Sequence, residues 1–136
     1  MRNLFQSSRS VIGAKFKLGG QNKAEGLDCL SMTFAFFQEA GINLPREFEG
    51  LKYEDYLEIY KRDDWEEIYL RFLRSLGDTV PIEFSLPGDI IVFNGERGIS
   101  AGINAGNAHV IVIVKDRVMK WPLRITEVIE VIRWVE

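Results

Sequence analysis

Two hydrophobic periods divide the chain. Up to about residue 77 the apolar positions recur at helical spacing; from Val80 onward they fall into short continuous runs. Leu4, Phe5, Val11, Ile12, Ala14 and Phe16 predict a short amphipathic helix within 3–17, ended by Gly19-Gly20. A polar loop over 19–26 follows. Residues 28–40 predict a second helix, with Leu30, Thr33, Phe34, Phe37 and Ala40 on one side. Met32, Ala35 and Phe36 widen that apolar surface, as expected of a largely buried central helix. Asp28 suits its N-cap and Gly41 its stop. Pro45 keeps 42–47 extended. Residues 50–77 are helical in pattern and strongly charged, with Tyr53, Tyr56, Leu57 and Tyr60 on one face. Asp64 reads as another N-cap, with Glu67 completing a capping box, and Gly77 as the residue after the helix. In the second half, Pro87-Gly88-Asp89 predicts a turn and 90–93 a buried strand. The Gly- and Asn-rich stretch 94–108 predicts a loop. Residues 109–114 predict a strand, 115–117 a hairpin turn and 118–121 the returning strand, broken at Pro122. The stretch 125–135 predicts a final strand or pair of strands. Helices first and antiparallel sheet second make an α+β chain, with N-terminal helices packed on a central antiparallel sheet.

Composition narrows the function classes. The chain has 136 residues, 46% hydrophobic and 27% charged, enough for one domain with a real core. A single domain over 1–136 is expected, with 50–77 as a helical insertion. A net charge of −3 removes the basic excess that nucleic-acid binding needs. One Cys and one His cannot supply the four N/S ligands of structural zinc, and no cofactor is expected. The glycines fit no phosphate-cradling motif. The acidic pairs Asp63-Asp64 and Glu66-Glu67 suit a helix start better than a metal site. No apolar run approaches the ~20 residues of a membrane helix, and the N-terminus lacks the core of a signal peptide. The expected location is the cytoplasm as synthesised, compatible with a phage particle or with export that needs no signal.

Two residues carry candidate chemistry. Cys29, the single cysteine, falls at the first position of the helix capped by Asp28. The positive end of a helix favours a thiolate, and the thiolate is the nucleophile; a small buried hydrophobe is the other reading of a lone cysteine. His109, the single histidine, opens the most β-branched strand. Histidine is the side chain best suited to accept a proton near neutral pH. A Cys–His pair needs hydrogen-bond reach and not sequence proximity, so the fold has to bring the two together.

Several stretches resemble the NlpC family of papain-like cysteine peptidases, which cut the peptide stems of bacterial cell walls. They are Gly19-Gly20, then Gly26-Leu27-Asp28-Cys29, then Glu39 to Arg46 with its Ala-Gly and Pro-Arg, then Pro87-Gly88-Asp89 with an apolar strand, then His109-Val110 opening another. The resemblance runs from about Val11 to Val135. It implies a papain-like NlpC-type fold, Cys29 as nucleophile and His109 as base. Asp28, Gly20 and Gln21 then form the loop around the oxyanion. Counting across the hairpin, it places the third residue of the triad at about Lys120 or Trp121, neither of which accepts a hydrogen bond. Asp116, Asn104 or Asn107 could substitute. Leu30-Ser31 stand where the family has Ser-Gly, and Phe16 where it has Tyr.

The function these features imply is hydrolysis of an amide bond in a cell-wall peptide containing a D-amino acid and a diamino acid. The alternatives are a catalytically weak or inactive binding or assembly module on the same fold, and an acyl-transfer enzyme. The expected partner is a cell-wall peptide, with no nucleic acid and no membrane, and with 50–77 as a lid or protein-partner surface.

Overall fold

The computed structural model describes residues 4–125 and 127–135. Asn3 and Thr126, within the expected first helix and last strand, lie outside the described residues. The chain forms α1 (Leu4–Arg9), β1 (Gln21–Asn22), β2 (Gly26–Leu27), α2 (Cys29–Glu39), β3 (Glu47–Phe48) and β4 (Leu51–Lys52). Then come α3 (Tyr56–Tyr60), α4 (Trp65–Ser75), β5 (Gly77–Val80), β6 (Ile90–Gly95) and β7 (Gly98–Gly106). The chain closes with β8 (His109–Val114), β9 (Arg117–Pro122) and β10 (Val128–Trp134). The main sheet has the order β5-β10-β6-β7-β8-β9, antiparallel throughout. The α+β architecture expected from the sequence is the one found.

α2 is apolar on most of its surface because it is covered on most of its surface. Leu30, Met32, Phe34, Phe36 and Phe37 are buried, and the helix lies on β7. One core joins α2 and α4 to Ile90, Val92, Ala101, Ile103 and Ile111 on the near face of the sheet. A smaller cluster of Ile91, Phe93, Val110, Val112 and Val131 fills the far face. Alternation along β6 sends Ile90 and Val92 one way and Ile91 and Phe93 the other.

Three expectations are corrected. α1 ends at Arg9, well before Gly19. Lys15 and Phe16 instead bridge to Arg117 and Leu27, which holds this segment extended. Residues 50–77 are not one helical run. They contain a hairpin strand, a 3-10 turn over Tyr53–Asp55, two helices and the start of β5. Asp64 stands at the N-cap position of α4, but its carboxylate takes Arg62 at 2.9 and 3.0 Å and caps nothing. Gly77 does follow the C-cap Leu76 of α4, as expected, and it also opens β5, where a Cβ would meet the Arg133 carbonyl oxygen at 1.8 Å. The third correction matters most: residues 98–106 are a nine-residue strand in the middle of the sheet and not a loop. Gly102 permits this, because a Cβ there would come within 2.6 Å of Val112 Cγ1 and 2.8 Å of the Ile111 carbonyl oxygen. A two-residue turn at Asn107-Ala108, both at positive φ, joins β7 to β8.

The Pro-Gly-Asp turn is anchored across the sheet. Asp89 is buried and accepts from Arg133 Nε at 3.0 Å, Arg133 Nη2 at 2.9 Å and the Leu86 N–H at 2.8 Å. Arg133 Nη2 also reaches the Phe84 carbonyl oxygen at 3.1 Å. No helix among the described residues is long and apolar enough to cross a membrane. Arg133→Ala leaves the buried Asp89 carboxylate without its guanidinium. It is expected to lower stability by about 2 kcal/mol, read as a fall in the urea midpoint. Arg133→Lys should recover only part of the loss, since an ammonium cannot donate bidentately.

Candidate active site

Asp28 builds the site. Its N–H donates to Ser31 Oγ at 2.9 Å, and its Oδ1 accepts the Ser31 N–H at 2.8 Å, a reciprocal capping box that starts α2. Its Oδ2 accepts the Gly19 N–H at 2.8 Å and the Tyr53 hydroxyl at 3.2 Å. Burial raises the Asp28 pKa above the usual carboxylate value, and hydrogen bonds from Ser31, Gly19 and Tyr53 hold the rise back. Cys29 follows at the first helical position, as the sequence predicts.

Gly20 and Gln21 do not line the thiol. Gly20 packs against the backbone at Gly26, where a Cβ would lie 2.1 Å from the carbonyl oxygen. Gln21 is exposed and turns its Nε2 back to the Gly19 carbonyl oxygen at 3.1 Å. Both support the loop that presents Gly19 to Asp28.

The cavity at Cys29, about 30 Å³, is closed by Ile99 and Ser100 of β7, Tyr56, Tyr60, Trp65 and Tyr69 of the helical segment, and Arg97. Burial raises the thiol pKa most, and the Asp28 charge raises it further. Hydrogen bonds from the Ser100 hydroxyl and the Ala101 N–H, and the Arg97 charge, pull weakly the other way. Arg97 stacks over Phe16 with its guanidinium 4.0 Å from the ring centre. It also shares its charge with Asp116 at 3.2 Å.

The fold does not bring His109 to Cys29. His109 pairs with Gly106 at the far end of β7 from Ser100, and the stretch between them spans roughly 20 Å at strand rise. Its Nδ1 lies 2.8 Å from the Asn107 carbonyl oxygen, and Pro122 stands opposite it on β9. Lys120 is exposed and pairs with Ile111, so it does not orient the imidazole. Asn104 is buried but engages Ser85 and the Gly106 N–H.

The reason for this displacement is the strand order. The strand that follows the Pro-Gly-Asp strand is β7 and not β8, so the neighbour of β6 that reaches the thiol brings Ser100 there, while His109 opens the strand beyond it. Sequence reasoning missed Ser100, Arg97 and Tyr69. The signal available was the run Ile99-Ser100-Ala101-Gly102-Ile103, which fits a strand of small residues once Gly102 is allowed a close approach.

A thiol on the first turn of a helix laid against an antiparallel sheet is the arrangement of papain-like domains. The chain belongs to the NlpC/P60 family, which it matches over residues 13–126. It is 31% identical over 105 residues to a gamma-DL-glutamyl hydrolase of Bacillus subtilis (strain 168), an alignment covering 74% of this chain and 20% of that protein. The chain therefore spans about a fifth of that relative. An NlpC protein of Trichomonas vaginalis has the same fold with a TM-score of 0.66 at 17% identity, over 98% of this chain and 43% of its own. The NlpC/p60 domain of the peptidoglycan hydrolase SagA matches with a TM-score of 0.64 at 15% identity, covering 96% and 95%. RipD of Mycobacterium tuberculosis, a non-catalytic NlpC/p60 domain protein adapted to peptidoglycan binding, matches with a TM-score of 0.61 at 18% identity, covering 96% and 93%.

Alkylation of Cys29 by iodoacetamide is expected to be slow at pH 6 and to keep rising past pH 8.5, the ordinary thiol pKa. The sign follows from the raised pKa: a group held as thiol gains about tenfold in thiolate per pH unit until its own pKa is reached. The rate profile between pH 6 and pH 10, followed by intact mass, checks this. A plateau below pH 7 would contradict it.

Proposed function

We propose that this chain is a cell-wall peptide-binding module of the NlpC/P60 family that lacks efficient hydrolysis. The observation that carries the proposal is the identity of the group facing Cys29. It is the hydroxyl of Ser100, and the chain's single histidine sits at the other end of the same strand. A hydroxyl does not accept a proton near pH 7, so no general base prepares the thiol. The two nearby carboxylates are committed elsewhere. Asp28 is occupied by the Gly19, Ser31 and Tyr53 donors, and Glu66 accepts the Ile99 N–H at 2.8 Å. The non-catalytic RipD is a precedent for this combination of fold and role.

A second reading, a hydrolase with Cys29 as nucleophile, is favoured by the gamma-DL-glutamyl hydrolase relative and by the thiol's place on the capped end of α2. Under that reading His109 would have to act from roughly 20 Å away, or another group would have to serve as base.

The two readings part on one experiment. The full chain is mixed with the stem tripeptide L-alanyl-γ-D-glutamyl-diaminopimelate. Binding by calorimetry with negligible turnover is expected. Ser100→His, which sets an imidazole against the thiol, is expected to raise hydrolysis by about a hundredfold over the unmodified chain. Turnover near 1 s⁻¹ by the unmodified chain, an ordinary enzyme rate, that disappears in Cys29→Ala would overturn the binding reading.

A further inference from the structure

Tyr69 is 4% exposed, and its hydroxyl finds no hydrogen-bond partner among the described residues. A buried phenol left unpaired costs about 1–3 kcal/mol, so its persistence asks for a reason. The fold supplies a geometric one. Glu66, on the first turn of α4, accepts the Ile99 N–H at 2.8 Å and so fastens the helix to the start of β7. Gly98 at φ +100° makes room, since a Cβ there would lie 2.7 Å from Glu66 Oε2. Tyr69 follows Glu66 by three residues and therefore shares its face. That turns the ring toward the cavity that Cys29, Ser100, Trp65 and Arg97 also line. Tyr56 and Trp65 brace the ring, with centroids at 6.3 Å on each side.

We propose that this cavity seats an amide carbonyl of the bound peptide, with the Tyr69 hydroxyl donating to the carbonyl oxygen. The inference rests on the peptide-binding reading and names the group that the site takes. The chemistry selects a neutral acceptor. Burial pushes the Tyr69 pKa well above the usual phenol value, so the group is a donor at every pH the protein meets. The cation at the mouth, Arg97, is already stacked on Phe16 and paired with Asp116, which leaves Tyr69 as the inner donor.

The test uses Tyr69→Phe, which keeps the ring packing and removes only the oxygen. Two readouts are taken on the full chain. The first is calorimetric affinity for the stem tripeptide. The second is the ratio of Cys29 alkylation rates by iodoacetamide, which carries an amide carbonyl, and by methyl methanethiosulfonate, which carries none. The expected result is about tenfold weaker peptide binding together with a several-fold fall in that ratio, at unchanged thermal midpoint or a slightly raised one. If the peptide binds the unmodified chain and Tyr69→Phe alike, and the ratio is unmoved, the carbonyl seat is wrong while the binding reading stands. If the peptide does not bind the unmodified chain but the ratio falls in the variant, the seat stands and the cell-wall reading fails. No peptide binding and no change in ratio overturns both.

Discussion

The buried carboxylate of Asp28 is the interaction on which the site depends. A carboxylate withdrawn from water is costly unless its lone pairs are taken up. Here they are taken up by groups from three separate stretches: the Gly19 N–H, the Ser31 N–H and the Tyr53 hydroxyl. Each donor fixes one spatial relation. Ser31 starts α2, Gly19 draws the preceding loop across the helix end, and Tyr53 anchors the helical segment that follows the β3–β4 hairpin. Tyr53 in turn meets Phe34 edge-on at 5.0 Å and Tyr56 at 5.7 Å. The position of Cys29, and the rings that surround it, follow from where this one side chain is satisfied.

The same carboxylate works against the thiol it positions. A helix N-terminus favours the thiolate, but burial of the sulfur and a neighbouring negative charge both favour the thiol. In a Cys–His pair an imidazolium beside the sulfur would reverse that balance. This chain has Ser100 in that place, a neutral group, and its nearest cation is shared with Phe16 and Asp116. So the helix end alone does not activate the thiol. The placement of Cys29 is that of a nucleophile, and its electrostatic surroundings are those of a buried thiol.

Local signals were legible where one short stretch decides the structure. The capped α2, the Pro-Gly-Asp turn, β6 and β8 all follow from periodicity and turn chemistry within a few residues. Strand β7 was not legible. Gly, Asn, Ser and Ala are poor strand formers taken singly, and the reason they stand there is tertiary. Gly102 lets Ile111 and Val112 of β8 approach, and Ala101 is buried under the core of α2. With 94–108 read as a loop, nothing separates the Pro-Gly-Asp strand from the strand that His109 opens, whereas β7 lies between them. The helical segment misled in a similar way. A 3.6-residue period ran on through Gly50 and residues 61–64, where a hairpin and a turn interrupt it. At Asp64 the nearby Arg62 guanidinium outcompeted the helix N–H groups for the carboxylate.

What remains distinctive is the wall of rings that the helical segment sets over Cys29. Tyr56, Tyr60, Trp65 and Tyr69 line the thiol cavity on one side and an apolar cavity of about 40 Å³ on the other, the second backed by Leu30, Phe34, Ile68 and Phe72. Rings in contact at 4.6 to 6.3 Å brace one another. Such a wall holds its shape without direct pairing to the sheet, and Glu66 supplies a backbone tie at Ile99. The sheet side of the cavity, with Ser100 and Ala101 locked in the ladder, offers no freedom to adapt. The shape of this cavity is therefore set mainly by the helical segment. There the chain spends aromatic side chains on enclosing the thiol, while the strand beneath holds a serine that leaves it protonated.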